Sequence, residues 1–189
     1  MGEARADARR NRDLVLEAAI AALSEDPEAG MVEISARSGL GRSTLYRHFP
    51  SREALILAIR EKVAAAERAA FREAVAAGGG TPQVLRALAA AIVRVGVEFG
   101  AVAVAVPAAP ASDDDLRRPR PDEPLLAWLA DQAAAGALTA SLSPTWMYSM
   151  IHGTARAALE DVQVGQCSGA EAGVLLGEVF VRAFGVDGC

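Results

Sequence analysis

Leu16, Ala19, Ile20 and Leu23 recur at three- and four-residue intervals, which puts them on one face of a helix running from about Ala8 to Ser24. Asp26-Pro27 and Gly30 end that periodicity. A short helix is expected from about Val32 to Ser38 with Ile34 inward, and Gly39 follows where a reversal between two helices needs positive φ. Another short helix, about Arg42 to His48, is stopped by Pro50. Ser51 then caps a long helix carrying Leu55, Ile59, Val63 and Phe71, which ends near Ala77 before Gly78-Gly79-Gly80. Thr81 and Pro82 open a fifth helix with Leu85, Leu88, Ile92, Val95 and Phe99 on one face. Ala101 to Val106 is uniformly apolar, which fits either a continued helix or a short strand. Pro107 to Pro124 reads as an exposed loop. Helices over about Glu123–Ala135, Pro144–Asp161 and Gly169–Phe184 complete the chain, the last opened by the capping box Ser168-Gly169-Ala170-Glu171.

Composition supports an all-α fold. The 189 residues are 52% hydrophobic and only 5% aromatic, and much of the apolar content is Ala, the best helix former. The polar start, Met1 to Arg12, has no apolar core of a secretory signal. Arg86, Arg94 and Glu98 interrupt the most apolar region, so no membrane span is expected and the cytoplasm is the expected location. Cys167 and Cys189 are too few for a disulfide framework or a zinc site. No nucleophile elbow, phosphate loop or catalytic carboxylate pair is present, so neither enzyme activity nor a cofactor is expected.

The net charge of −5 hides an uneven distribution. Residues 1–80 hold 12 basic and 12 acidic side chains, whereas residues 81–189 hold 7 and 12. Arg37, Arg42, Arg47 and Arg52 occur in a stretch without a single acid. DNA responds to charge within a Debye length of roughly 8–10 Å, so this local field counts for more than the global sign. The two short helices and the turn Ser38-Gly39-Leu40-Gly41 have helix-turn-helix spacing. At about 100° per residue, Leu45 and Phe49 define the inward face of the second short helix. Ser43 and Arg47 then point outward, flanked by Thr44 and Tyr46. Such a face offers hydrogen-bond donors to base edges and phosphates and no negative charge.

The run from Gly39 through Arg42-Ser43-Thr44-Leu45-Tyr46-Arg47-His48-Phe49-Pro50 to Arg52-Glu53-Ala54-Leu55 resembles the recognition region of the tetracycline-repressor (TetR) family. Leu16-Glu17-Ala18-Ala19 and Ile34-Ser35 with Ser38-Gly39 fit as well, and the match covers about residues 9–60. The resemblance implies an all-α homodimer with a helix-turn-helix DNA-binding domain, here 1–52, and a larger helical ligand-binding and dimerisation domain, here 53–189. It implies contacts to a double-stranded operator from Ser43, Thr44, Tyr46, Arg47 and His48, and a phosphate contact from Arg52; Arg42, in the same basic stretch, is a further DNA-binding candidate. One departure is that Met31 and Val32 stand where the family has a polar residue capping the second helix, leaving Gly30 to cap it.

Glu98, Phe99, Trp128, Met147, Met150 and His152 are the candidates for an effector site, each against the alternative of plain core or dimer packing. The effector is expected to be small and mostly apolar. The last two helices are apolar on more than one side, through Trp146, Met147, Met150, Ile151, Ala155 and Leu159 and through Val174, Leu175, Val179, Phe180 and Phe184. They are expected to pair with their symmetry mates as a four-helix bundle. The leading reading is a repressor that a ligand releases from a palindromic operator. The alternatives are an activator with the same head, or a helical small-molecule-binding protein.

Overall fold

The computed structural model describes residues 2–99 and 123–185, all of whose regular structure is helical. The helices are α1 (Gly2–Glu25), α2 (Met31–Ser38), α3 (Arg42–His48), α4 (Arg52–Ala76), α5 (Thr81–Phe99), α6 (Pro124–Ala134), α7 (Pro144–Gln163) and α8 (Gly169–Phe184). Ala101–Val106 and the expected loop after it, as far as Asp122, lie outside the described residues.

Local signals set most boundaries. Gly39 ends α2 at φ 70°, in the left-handed region that a β-carbon disfavours, and its N–H donates to the Ala36 carbonyl. The Ser143 side chain accepts from the Trp146 N–H at the start of α7. Ser168 and Glu171 form the expected reciprocal capping box on α8. Two details differ from the sequence reading. α1 begins at Gly2 rather than near Ala8, since nothing before Ala8 breaks a helix. Gly80 rather than Thr81 precedes the first turn of α5, its carbonyl accepting from Gln83 and Val84. Thr81 instead donates from its hydroxyl to Gln132 Oε1 at 2.6 Å.

The chain divides into two compact units, with the boundary inside α4 between Ala64 and Ala65. In the N-terminal unit, α1, α2 and α3 pack on one another. Their core is Val15, Leu16, Ala19, Leu23, Ile34, Leu45, Phe49, Leu55 and Ile59. Each large side chain buried there contributes about 1.5–3 kcal/mol relative to exposure.

In the C-terminal unit, α7 packs against α6 and α8. Glycines let helices approach closely: a β-carbon on Gly173 would lie 3.1 Å from the Ala90 Cα, and one on Gly177 3.1 Å from the Arg86 Cα. One face of α5 is thereby covered by α8. Among the described residues, no helix is long and apolar enough to cross a membrane.

Candidate functional site

Leu45, fully buried, and Phe49 anchor α3 in the N-terminal core. The opposite face is open: Arg42, Ser43, Tyr46 and Arg47 are exposed, and Thr44 and His48 are half-buried at its edges. The structure therefore brings the six α3 candidates onto one surface without a carboxylate among them. Ser35, buried beneath the turn, fixes how α3 leaves α2. Its hydroxyl donates to the Leu40 carbonyl at 2.9 Å, and Ser38 Oγ donates to the Ser35 carbonyl at 2.9 Å. His48 Nε2 is buried without a hydrogen-bond partner among the described residues.

The four arginines of the basic stretch are not equivalent. Arg37 makes a bidentate pair with Glu25, both bonds at 2.7 Å, which holds the Glu25 carboxyl below its ordinary value. Arg52 donates to the Pro27 carbonyl at 2.5 Å and to the Ala29 carbonyl at 3.4 Å, tying the start of α4 to the α1–α2 loop. The expectation that Arg52 serves DNA phosphate is thus joined by a structural use of the same guanidinium. Arg42 and Arg47 remain on the open face. Arg12 lies over the Phe49 ring at 5.2 Å, a cation–π contact, whereas Arg9 and Arg10 are exposed.

The expected effector residues do not form one group. Glu98 is exposed, because the buried stripe of α5 (Leu85, Leu88, Ala89, Ile92, Val93, Val95 and Phe99) turns it outward. That corrects its placement among apolar neighbours. Phe99 is buried but groups with the N-terminal unit. Met147 is fully buried and Met150 half-buried on α7. Trp128 and His152 join a cluster whose other members the sequence reading missed. Phe71 meets Trp128 edge-on at 5.9 Å, and the Tyr148 and His152 rings lie 4.3 Å apart. Arg68 Nη1 stands 3.9 Å from Glu123 Oε2. Glu67 shares this environment. Burial pushes its carboxyl above the ordinary value, His152 opposes the shift, the Glu123 charge adds to it, and Arg68 opposes it. The Tyr148 phenol is pushed up to about 12 by burial first and then by the charges of Glu123 and Glu67. The signal for Glu67 was present: Ile59, Val63, Glu67 and Phe71 are four residues apart on one stripe of α4.

Residues 15–59, which span α2, α3 and the turn between them, match the family model described as bacterial regulatory proteins, tetR family. That stretch therefore carries a tetR-type helix-turn-helix domain. The HTH-type transcriptional repressor LfrR of Mycolicibacterium smegmatis is 35% identical over 77 residues. That match spans about two-fifths of each chain, 41% of this one and 41% of LfrR. The crystal structure of LfrR from Mycobacterium smegmatis in complex with proflavine superposes with a TM-score of 0.66 at 23% identity, covering 92% of this chain and 95% of that one. A SmeT–triclosan complex gives 0.69 at 19% identity, over 95% and 93%. These likenesses show that the chain shares the fold of those two proteins.

Proposed function

We propose that this chain is a TetR-family regulator, a homodimeric transcription repressor that binds a palindromic operator through α3 and is released by a small, mostly apolar effector. The observation that carries the reading is the open face of α3. Arg42, Ser43, Tyr46 and Arg47 are exposed together while Leu45 and Phe49 hold the helix from behind. A helix set in the major groove needs donors outward and an anchored back. The repressor name of LfrR and the small molecules bound in the LfrR and SmeT structures support the regulatory part.

The dimer reading rests on the outer face of α7 and α8. Val174 (68% exposed), Leu175 (63%), Val179 and Trp146 are uncovered, and the surface at Gly153 is open. A shallow groove of about 520 Å³ beside Cys167 is lined by Ala170, Val174 and Leu175. Covering this face with a second copy removes apolar area from water. It also joins two reading heads, and making the second contact intramolecular raises affinity by roughly 10²–10⁴. Phe180 and Phe184, which the sequence reading placed on that interface, are buried within the chain and stacked at 5.8 Å. Leu175→Glu is therefore the substitution that addresses the dimer.

Gel shift with the DNA upstream of the chain's own gene tests the reading. The expected result is salt-sensitive binding that Arg47→Ala weakens by about 1–3 kcal/mol per half-site, with relaxed preference at one base pair. Wild-type protein that shows no preference for that DNA over random sequence overturns it.

A further inference from the structure

α1 runs beyond the core that holds it. Val15 is its first buried residue, whereas Ala6 to Arg10 are all exposed. Five consecutive residues go more than once round a helix, so no described element covers any face of this stretch. Nor does it need apolar cover, since Ala6-Asp7-Ala8-Arg9-Arg10 has no large apolar side chain.

Arg12 sets where these turns lie. Its guanidinium carbon is 5.2 Å from the centroid of the Phe49 ring, and Phe49 is the residue that ends α3. Helical side chains lean toward the N-terminus of their helix, so Arg12 reaches back along α1, and the end of α3 stands beside the turn that carries Arg9. At about 100° per residue, Arg9 lies about 60° round α1 from Arg12, and Arg10 about 160°. Arg9 thus flanks the end of the open face of α3, where Tyr46 and Arg47 are exposed, while Arg10 is turned away from it. Neither arginine has an ion pair among the described residues; Asp13 is exposed one turn nearer the core, and Asp7 lies about 160° round the helix from Arg9.

A helix in the major groove has a phosphate strand on either side, and contacts to those strands fix its register on the duplex. An exposed guanidinium beside the end of the reading helix has the charge and the position for such a contact. We propose that Arg9 binds a DNA phosphate, with Arg12 as the residue that positions it through Phe49, so that the DNA interface continues from α3 onto α1. The inference rests on the reading of α3 as a DNA-reading helix and adds a second element to that interface. Arg10 carries the same charge on the other side of α1 and is the internal control.

Fluorescence anisotropy titration of labelled duplexes with the full chain, repeated at several salt concentrations, tests this. One duplex is the DNA upstream of the chain's own gene, and the other is random sequence. Arg9→Ala is expected to weaken binding to both duplexes alike and to lower the slope of log affinity against log salt by about 0.9 for each head bound. Arg9→Lys keeps a charge that a phosphate accepts and should hold the slope at the wild-type value. Arg10→Ala should change it by no more than about 0.3, since it loses the charge without losing a contact. All three positions changed are exposed or on an exposed turn, and unchanged thermal melts confirm that the fold is kept. A slope unaltered in Arg9→Ala, or lowered as much by Arg10→Ala, overturns the proposal. Failure of the repressor reading looks different: the wild type then shows no preference for the upstream DNA, while the Arg9 comparison can still be read on the random duplex.

Discussion

Single residues show how one type of side chain is put to different uses. Arg37, Arg42, Arg47 and Arg52 look alike in sequence, yet Arg37 is matched to Glu25 and Arg52 to backbone carbonyls. Arg52→Ala is accordingly expected to cost stability, about 1–2 kcal/mol for charged hydrogen bonds that are partly in solvent. Arg47→Ala, on the open face, should leave stability within about 0.5 kcal/mol. Urea titration of the two variants checks the contrast. Glu67 carries a pH prediction of definite sign. A carboxyl whose pKa is raised by folding favours the fold below its ordinary value and loses that contribution as pH rises through the folded value. Glu67→Gln should thus raise the melting temperature at neutral pH and change it little in acid below the ordinary glutamate pKa. The exposed carboxyls of Glu25, Glu53, Glu171 and Glu178 are shifted the other way, and their contribution is lost as pH falls.

Helices and turns bear out much of the local reading. α3 has the expected bounds, Gly39 has the expected positive φ, and Ser168-Glu171 caps α8 as the pattern implies. These features depend on residues within one helical turn of each other, which is why a linear sequence reveals them. Gly39→Ala is expected to cost about 1–2 kcal/mol for holding a β-carbon in the left-handed region, and a thermal melt measures it. The two glycine positions of α8 were not legible, because their reason is the backbone of α5. Gly173→Leu should lose about 1–3 kcal/mol or more through overpacking against Ala90. Gly153→Ala on the open face of α7 has no such neighbour among the described residues, and in dilute protein should gain up to about 1 kcal/mol from helix propensity.

At the scale of the whole molecule, the proposed repressor is two reading heads joined through α7 and α8. Leu175→Glu is expected to leave helix content unchanged, halve the mass in sedimentation and weaken operator binding by roughly 10²–10⁴. A dimer that persists in this variant places the interface elsewhere. Phe180→Glu should behave differently and unfold the C-terminal unit, since it puts a charge into the core.

The sequence by itself determined that the chain is helical, where most described helices start and stop, and which face of α3 is turned outward. Those outcomes follow from caps, breakers and a single apolar stripe, all of them short-range. Tertiary structure alone decided which apolar face of α8 is core, Phe180 rather than Leu175, because a helix apolar on two sides has no periodicity that ranks them. It alone placed Glu67 of α4, Glu123 just before α6 and His152 of α7 in one electrostatic environment, and it alone matched Arg37 and Arg52 to partners on other elements. Such pairings depend on how helices cross, and crossing is fixed by the packing of whole faces rather than by any local run of residues.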